Sequence, residues 1–127
     1  MEQLKKNKEL VVNYFNAISG VTKTRALLEE YVTDEGLIEH IAFFDTVFPQ
    51  YELFADEMTA EGNRVVVRAR VKGQHEGELN GIPPTGKNVE MSFAIGYEIE
   101  EGKIAHHWLV ADQLSLMEQL GVLNSMA

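Results

Sequence analysis

The sequence predicts an α+β fold, in which a curved antiparallel sheet carries helices on its concave face. Up to Pro49, apolar residues recur at spacings of three and four, which is the period of an amphipathic helix. After Pro49, apolar and polar residues alternate, most clearly from Val65 to Val71, which is the period of a half-buried strand. Helices and strands segregated along the chain in this way are typical of the α+β class.

The first part of the chain carries three helical patterns. The first runs from about Gln3 to Ile18, and Gly20 is its predicted C-cap. Pro49 ends the third, whose buried side is predicted to include Phe44. Short polar residues provide the candidate N-caps of the second and third helices: Thr22 or Thr24, and Thr33 or Asp34.

Four strand patterns and a closing helix follow. Glu61–Asn63 and Glu101–Gly102 have the composition of turns between strands. Pro83 and Pro84 lie in a loop, because proline cannot donate to a strand ladder. The predicted elements are strands near 51–55, 65–71, 89–99 and 103–111, and a short helix over 114–120. The sequence thus predicts three N-terminal helices, four strands and one C-terminal helix enclosing a cone-shaped pocket.

Length and composition narrow the possible functions. A chain of 127 residues is expected to form one domain, over residues 1–127. The formal net charge of −9 argues against nucleic-acid binding, which needs a basic surface. No segment has the length and hydropathy of a signal peptide or membrane span, so no membrane association and a cytoplasmic location are expected. The absence of cysteine excludes disulfides and thiolate metal sites.

Several short motifs resemble one known family. They are Gly-Ile-Pro-Pro-Thr-Gly-Lys at 81–87, Glu-Glu-Gly-Lys-Ile at 100–104, His-Trp at 107–108 and Glu-Gln-Leu-Gly at 118–121. Together they resemble the SnoaL-like polyketide cyclases and ester cyclases, which belong to the nuclear-transport-factor-2-like superfamily of α+β cones. The resemblance covers nearly the whole chain. This fold hosts isomerases, dehydratases, cyclases and non-enzymatic binders, so it implies the fold more specifically than the function.

The resemblance also implies which residues line a pocket and which face away from it. If Ile95 and Leu109 face the pocket as in the family, strand alternation sends Ala94, Gly96 and Trp108 to the opposite face. In this superfamily that outer face commonly packs against a second subunit, so a homodimer through the surface around Trp108 is expected. The expected contacts of a small hydrophobic ligand are Tyr97, Phe93, Ile95, Leu109, Met91, Phe15 and Phe44.

The chain departs from the family pattern in two places. The general acid/base aspartate of the cyclases corresponds to Leu109 here, and their partner histidine corresponds to Ile95. Family members also carry a strand between the second and third helices, whereas Val32 runs almost directly into the third helix here. The cyclase mechanism therefore does not transfer residue by residue.

The candidate catalytic residues are His107, Asp112 and His75. An imidazole titrates near neutrality, which makes His107 the candidate base, with Asp112 or His75 orienting it and Tyr97 donating to a ligand carbonyl. Each has a structural alternative: a histidine hydrogen-bonded to the backbone or to a helix residue for His107, a helix N-cap for Asp112, and a surface or loop histidine for His75. No spacing of His, Asp and Glu indicates a metal site, and no motif indicates a cofactor.

Three functions stay open from the sequence. The first is a cyclase or isomerase that transfers protons on a small apolar carbonyl compound. The second is a non-catalytic protein that binds such a compound, because both family acid/base positions are apolar. The third is a dimeric scaffold whose cone is filled by its own side chains.

Overall fold

The structure is a computed structural model that describes residues 2–122, and it has the predicted α+β architecture. Helices and strands follow one another in the predicted order. In chain order the elements are α1 Glu2–Ile18, α2 Arg25–Glu29, α3 Glu35–Val47, β1 Glu52–Glu61, β2 Arg64–Gln74, β3 Asn88–Glu100, β4 Lys103–Ala111 and α4 Gln113–Leu120.

The four strands form one antiparallel, unclosed sheet in the order β1-β2-β3-β4. Each strand pairs with its neighbour in sequence, as tight turns such as Glu101–Gly102 require. Irregularities interrupt the ladders between Ala55 and Glu57 and between Glu98 and Ile99. Such bulges increase the local twist and bend a sheet, which helps to give it a concave face.

Side-chain caps fix where three of the helices begin. Thr24 accepts a hydrogen bond from the Leu27 amide at 3.2 Å and starts α2. Asp34 accepts from the Leu37 amide at 3.1 Å and starts α3. Asp112 caps α4 in the same way. These bonds satisfy amides that have no partner inside the helix, which is why short polar residues stand at these positions.

The core lies between the helices and one face of the sheet. On β2 burial alternates strictly, with Val65, Val67 and Val71 buried and the arginines between them at the surface. From the helical side, Tyr14 and Leu37 are almost fully buried, and α1 lies against β1 and β2. The sheet therefore has one face that is covered by helices and one outer face.

A short backbone connection ties the helical layer to the edge strand β4. Val32 forms a single parallel bridge with Ile104. The Thr33 amide donates to the Ile104 carbonyl at 2.9 Å, and the Ile104 amide donates to the Tyr31 carbonyl at 2.8 Å. Where the family is expected to have a strand, this chain thus keeps one bridge, and the bridge sets the position of Asp34 and the start of α3.

No helix among residues 2–122 is long and apolar enough to cross a membrane.

Candidate functional site

A cavity of about 220 Å³ lies between the helices and the concave face of the sheet. Its walls come from α1, α3, α4 and all four strands, with Tyr51 added from the segment before β1 and Leu79 and Asn80 from the loop after β2. All seven residues expected from the sequence to contact a ligand line it: Tyr97, Phe93, Ile95, Leu109, Met91, Phe15 and Phe44. Among the described residues, no Asp, Glu, Lys or Arg contributes to its wall.

The cavity reaches solvent where its wall residues are themselves exposed. These are His40 and Phe43 on α3, Asn80 in the loop, and Gln113 at the start of α4. Its deeper part is formed by buried side chains such as Ile95. A ligand would therefore enter between α3 and α4 and bury its apolar part against the sheet.

Three tyrosines supply most of the polar groups inside the cavity. Tyr14, Tyr51 and Tyr97 all line it, and within residues 2–122 none of their hydroxyls is hydrogen-bonded to a protein group. Burial raises the pKa of all three hydroxyls above the ordinary value. Neighbouring tyrosine hydroxyls raise the pKa of Tyr14 and of Tyr97 further, and Asp45 raises that of Tyr51. The three phenols are therefore neutral hydrogen-bond donors at physiological pH.

His107 forms its closest polar contact with Asp34, at the N-terminus of α3. The His107 Nδ1 atom lies 2.7 Å from the Asp34 Oδ2 atom, and both side chains are largely buried. His107 stands opposite Tyr97 in the β3–β4 register and two residues from Leu109 on the same strand face. With Nδ1–H donated to the carboxylate, the Nε2 atom is left as the hydrogen-bond acceptor of the ring.

Opposing effects act on the Asp34 carboxyl group. Partial burial works to raise its pKa, but the hydrogen bond with His107 and those from the Leu37 and Gly36 amides outweigh burial, so the pKa is lowered from 3.8. Asp34 is therefore ionised at neutral pH. An ionised carboxylate at this distance holds the imidazole ring in one tautomer and orientation, as the acidic partner does in catalytic triads.

His40 is a second imidazole at this site. It lies on α3 and lines the cavity, and its ring stacks on Phe44 with ring centres 6.0 Å apart. Partial burial lowers the pKa of His40, and the nearby His107 lowers it further. The ring is therefore neutral at physiological pH and is able to accept or donate a hydrogen bond at the mouth.

Asp112 and His75, the other candidate catalytic residues, do not contact His107. Asp112 accepts from the Ser115 amide at 3.1 Å as the N-cap of α4. His75 is fully buried, and its Nδ1 atom accepts from the Thr85 amide at 3.1 Å, which closes the loop between β2 and β3. The His75 Nε2 atom has no partner among the described residues. Asp112 is thus a helix cap, and His75 is a buried histidine that holds a loop.

The sequence does not predict the roles of two site residues, Asp34 and His40. It indicates Asp34 as a possible helix cap, but the contact of Asp34 with His107 joins positions 73 residues apart and has no local signal. His40 did have one, because it lies three residues after Leu37 and four before Phe44, on the side of α3 that faces the cavity. Among the described residues there is no cluster of His, Asp and Glu that could hold a metal ion.

Comparisons with known proteins agree with this fold. The family model described as SnoaL-like polyketide cyclase matches residues 13–120. Among solved structures, AclR of Streptomyces galilaeus is 22% identical, with a TM-score of 0.82 over 95% of this chain and 84% of that one. TsrD of Streptomyces laurentii is 23% identical, with a TM-score of 0.80 over 94% and 97% of the two chains. A SnoaL-like polyketide cyclase of Agrobacterium tumefaciens is 17% identical, with a TM-score of 0.75 over 91% and 98%. A search of curated proteins found no match.

Proposed function

Because the chain belongs to the SnoaL-like polyketide cyclase family, we propose that it is an acid–base enzyme of the cyclase or isomerase type. Its substrate would be a small, neutral, apolar compound with a carbonyl group. The observation that supports this most is the His107–Asp34 pair, with 2.7 Å between Nδ1 and Oδ2, beside a cavity whose tyrosine hydroxyls have no hydrogen-bond partner among residues 2–122. Proton abstraction next to a carbonyl requires a base and hydrogen-bond donors, and here the candidate base lies beside the cavity while the donors line it.

In this proposal each group has a separate role. The Nε2 atom of His107 removes a proton from the carbon next to the carbonyl, while Asp34 stabilises the imidazolium that forms. A tyrosine hydroxyl, from Tyr51 or Tyr97, donates to the carbonyl oxygen as negative charge develops on it. His107 and Asp34 would thus supply the base that the family carries at the position of Leu109.

The cavity sets the size and charge of the ligand. An apolar cavity of roughly 150 Å³ holds benzene, so one of about 220 Å³ has room for a compact bicyclic compound. Its wall offers no charged side chain among the described residues to neutralise an ionic ligand. A neutral one- or two-ring ketone fits both limits.

The test is proton exchange on 1-indanone, a neutral bicyclic ketone. In deuterated buffer near neutral pH, proton NMR follows the replacement of the hydrogens next to the carbonyl by deuterium. We expect the wild-type protein to speed this exchange above the buffer rate. His107→Ala should slow the protein-dependent rate by about 100-fold or more, which is the typical contribution of a general base.

His106→Ala is the matched control, because His106 is the adjacent residue on the outer face of β4 and pairs with Glu100. This variant should keep the wild-type exchange rate. If His107→Ala exchanged as fast as the wild type in a folded protein, His107 would not be the base.

A non-catalytic binder is the second candidate function. His107 itself does not line the cavity, and the two family acid/base positions are Ile95 and Leu109, both of which do. A binder would be stabilised against thermal unfolding by 1-indanone without any increase in its proton exchange. That combination of results would favour the binder over the enzyme.

We also propose that a second copy of this chain covers the outer face of the sheet. Val66, Gly96 and Trp108 form one row across β2, β3 and β4, and Val110 lies beside them. Trp108 is 50% exposed and Val110 is 65% exposed. Apolar side chains grouped on one surface, with an aromatic residue at the centre, are characteristic of protein interfaces.

A further inference from the structure

Lys23 is a buried lysine that has no role in the catalysis proposed for His107, Asp34 and the tyrosines. Its side chain has no solvent exposure, which is rare for lysine unless the charge is paired. The Nζ atom donates to the Val21 carbonyl and to the Tyr51 carbonyl, both at 2.9 Å, and lies 3.6 Å from the Asp45 Oδ1 atom. Three oxygen acceptors thus surround the ammonium group.

The same ammonium group also lies on the ring of Tyr51. The Nζ atom is 3.9 Å from the ring centre, within the range of a cation–π contact. Tyr51 lines the cavity, and its ring also packs edge-on against Phe44 with centres 5.3 Å apart. Lys23 therefore holds both the backbone and the ring of a residue that faces the ligand site.

Among the described residues, Tyr51 is the only cavity tyrosine with a cation on its ring. The other cation–π contacts involve Phe54, which is not part of the cavity wall. A cation on a ring face attracts the π electrons, and this withdraws electron density from the phenol oxygen and makes its O–H bond more polar. Lys23 thus distinguishes Tyr51 from Tyr14 and Tyr97.

The negative charge of Asp45 partly compensates the Lys23 charge and so limits the polarisation of Tyr51. Burial lowers the pKa of Lys23, and the interaction with Asp45 opposes that shift. The Asp45 carboxylate also accepts from the Lys23 and Gln50 amides, at 3.2 Å and 2.9 Å, which fixes its place near the ammonium group. Removing the Asp45 charge would leave the Lys23 charge less compensated where it meets the ring.

We propose that Lys23 is a positioning residue that polarises Tyr51 and makes its hydroxyl the strongest hydrogen-bond donor to a ligand in the cavity. The part of the proposal that concerns the ligand rests on the proposed function. The effect on the phenol itself does not, because it exists in the ligand-free protein.

The first experiment uses ligand-free protein labelled with ¹³C at the Cζ atom of tyrosine, whose resonance reports the electronic state of the phenol. Lys23→Gln keeps a side-chain donor for the Val21 and Tyr51 carbonyls but removes the charge. We expect this variant to shift the Tyr51 resonance while those of Tyr14 and Tyr97 stay in place. Lys23→Arg should restore the wild-type position, because it returns the cation.

Asp45→Asn provides an independent test that keeps Lys23 intact. It should shift the Tyr51 resonance in the direction opposite to Lys23→Gln, because it unmasks the cation. Because the Asp45 charge also acts directly on the Tyr51 hydroxyl, the same substitution is made in Lys23→Gln, where its shift should be smaller. If Lys23→Gln does not fold, Lys23→Met provides the uncharged variant in both experiments. A Tyr51 resonance that stays in place in every folded variant would overturn the proposal and leave Lys23 a purely structural residue.

The second experiment measures 1-indanone binding. Affinity should fall about tenfold in Tyr51→Phe, the size expected for one hydrogen bond, and by a smaller factor in Lys23→Gln, where the hydroxyl remains but is less polarised. Adding Lys23→Gln to Tyr51→Phe should lower the affinity no further. Unchanged affinity in Lys23→Gln would contradict the proposal. If the wild type itself did not bind 1-indanone, the ligand class of the proposed function would be wrong, while the tyrosine resonances would still decide the role of Lys23.

Discussion

Asp34 uses its two carboxylate oxygens for different purposes. Oδ1 accepts from the Leu37 amide and begins α3, while Oδ2 lies 2.7 Å from the His107 ring. One residue thus couples the start of a helix to the orientation of the candidate base. Asparagine is also a good N-cap, so replacing Asp34 by Asn changes the contact with His107 more than it changes the cap.

We predict that Asp34→Asn lowers stability at neutral pH and that this loss disappears in acid. The pKa of Asp34 is lowered from 3.8 in the folded protein, so its charge stabilises the fold at pH values above 3.8. That contribution is lost as the pH falls through the lower folded-state pKa. Urea unfolding of both proteins at several pH values measures the difference.

The stability difference should be constant between about pH 5 and pH 7 and should shrink below pH 4. Ser115→Ala is a suitable control, because Ser115 lies on α4 and does not contact Asp34. A difference that grew on acidification would mean that the Asp34 carboxyl is not stabilised in its charged form.

The sequence predicts which side chains lie at the site better than it predicts which of them contact one another. Strand alternation predicts that Tyr97 and His107 face the same side of the sheet as Ile95 and Leu109; Tyr97 lines the cavity, whereas His107 lies beside it. Asp34 and Lys23 could not be assigned, because their contacts with His107 and Tyr51 join segments far apart in the chain. Side-chain pairing across such distances depends on packing, which periodicity does not contain.

The loop over residues 75–87, between β2 and β3, is held at both of its ends. The His75 amide donates to the Lys87 carbonyl at 2.8 Å, and the Gly77 amide donates to the Val47 carbonyl at the end of α3 at 3.0 Å. The loop thereby positions Leu79 and Asn80 in the cavity wall. A change in the contacts that hold this loop should therefore alter ligand binding in the cavity.

We predict that Gly77→Ala displaces this loop. A Cβ atom at Gly77 would lie 2.0 Å from the Thr46 carbonyl oxygen and 3.1 Å from the Val47 Cα atom, which are backbone atoms that cannot rotate away. The expected cost is about 1–3 kcal/mol in the free energy of unfolding, together with weaker 1-indanone binding. Chemical unfolding and a binding titration measure the two effects.

Gly86→Ala is the control that introduces backbone strain in the same loop without the steric overlap expected at Gly77. Gly86 has a φ of +72° but no atom within 4 Å of the added Cβ, so its substitution should lower stability without affecting ligand binding. If both variants affected binding equally, the contact between Gly77 and α3 would not explain the loss.

The order and type of the secondary elements could be predicted from the sequence, and the structure confirms them. Period-two alternation over β2 and the Glu101–Gly102 turn are local signals, so no tertiary information was needed. The choice between Thr22 and Thr24 as cap, and between Thr33 and Asp34, needed the structure. Either residue of each pair can accept from an amide, and neighbouring packing decides which one does.

The two faces of the sheet carry different features. The concave face carries the cavity and the candidate base, and the outer face carries the exposed side chains of Val66 and Trp108 on either side of the buried Gly96. The Trp108 indole lies over Gly96, where a Cβ atom would come within 2.2 Å of it. Glycine at this position therefore lets the exposed Trp108 ring pack against the sheet.

We predict that the protein is a dimer in solution and that Trp108→Lys makes it monomeric. Lysine removes the central aromatic contact and places like charges opposite each other across a two-fold axis. Light scattering and analytical ultracentrifugation over a range of concentrations measure the association state.

Val12→Lys is the control, because Val12 is exposed on α1, away from the outer sheet face. It should leave the dimer intact. A wild-type protein that stayed monomeric at high concentration would show that a second copy does not cover this face.

The bridge between Val32 and Ile104 and the bulge in β1 also affect aggregation. A strand at the edge of an unclosed sheet offers free amides and carbonyls to other chains. Here β4 has its first residues covered by the 31–34 segment. The strand β1 is bent by the irregularity between Ala55 and Glu57 and carries the exposed acidic side chains of Glu52 and Glu61. Repulsion between two such acidic strands opposes edge-to-edge pairing, so an open sheet of this kind can stay dispersed at high concentration.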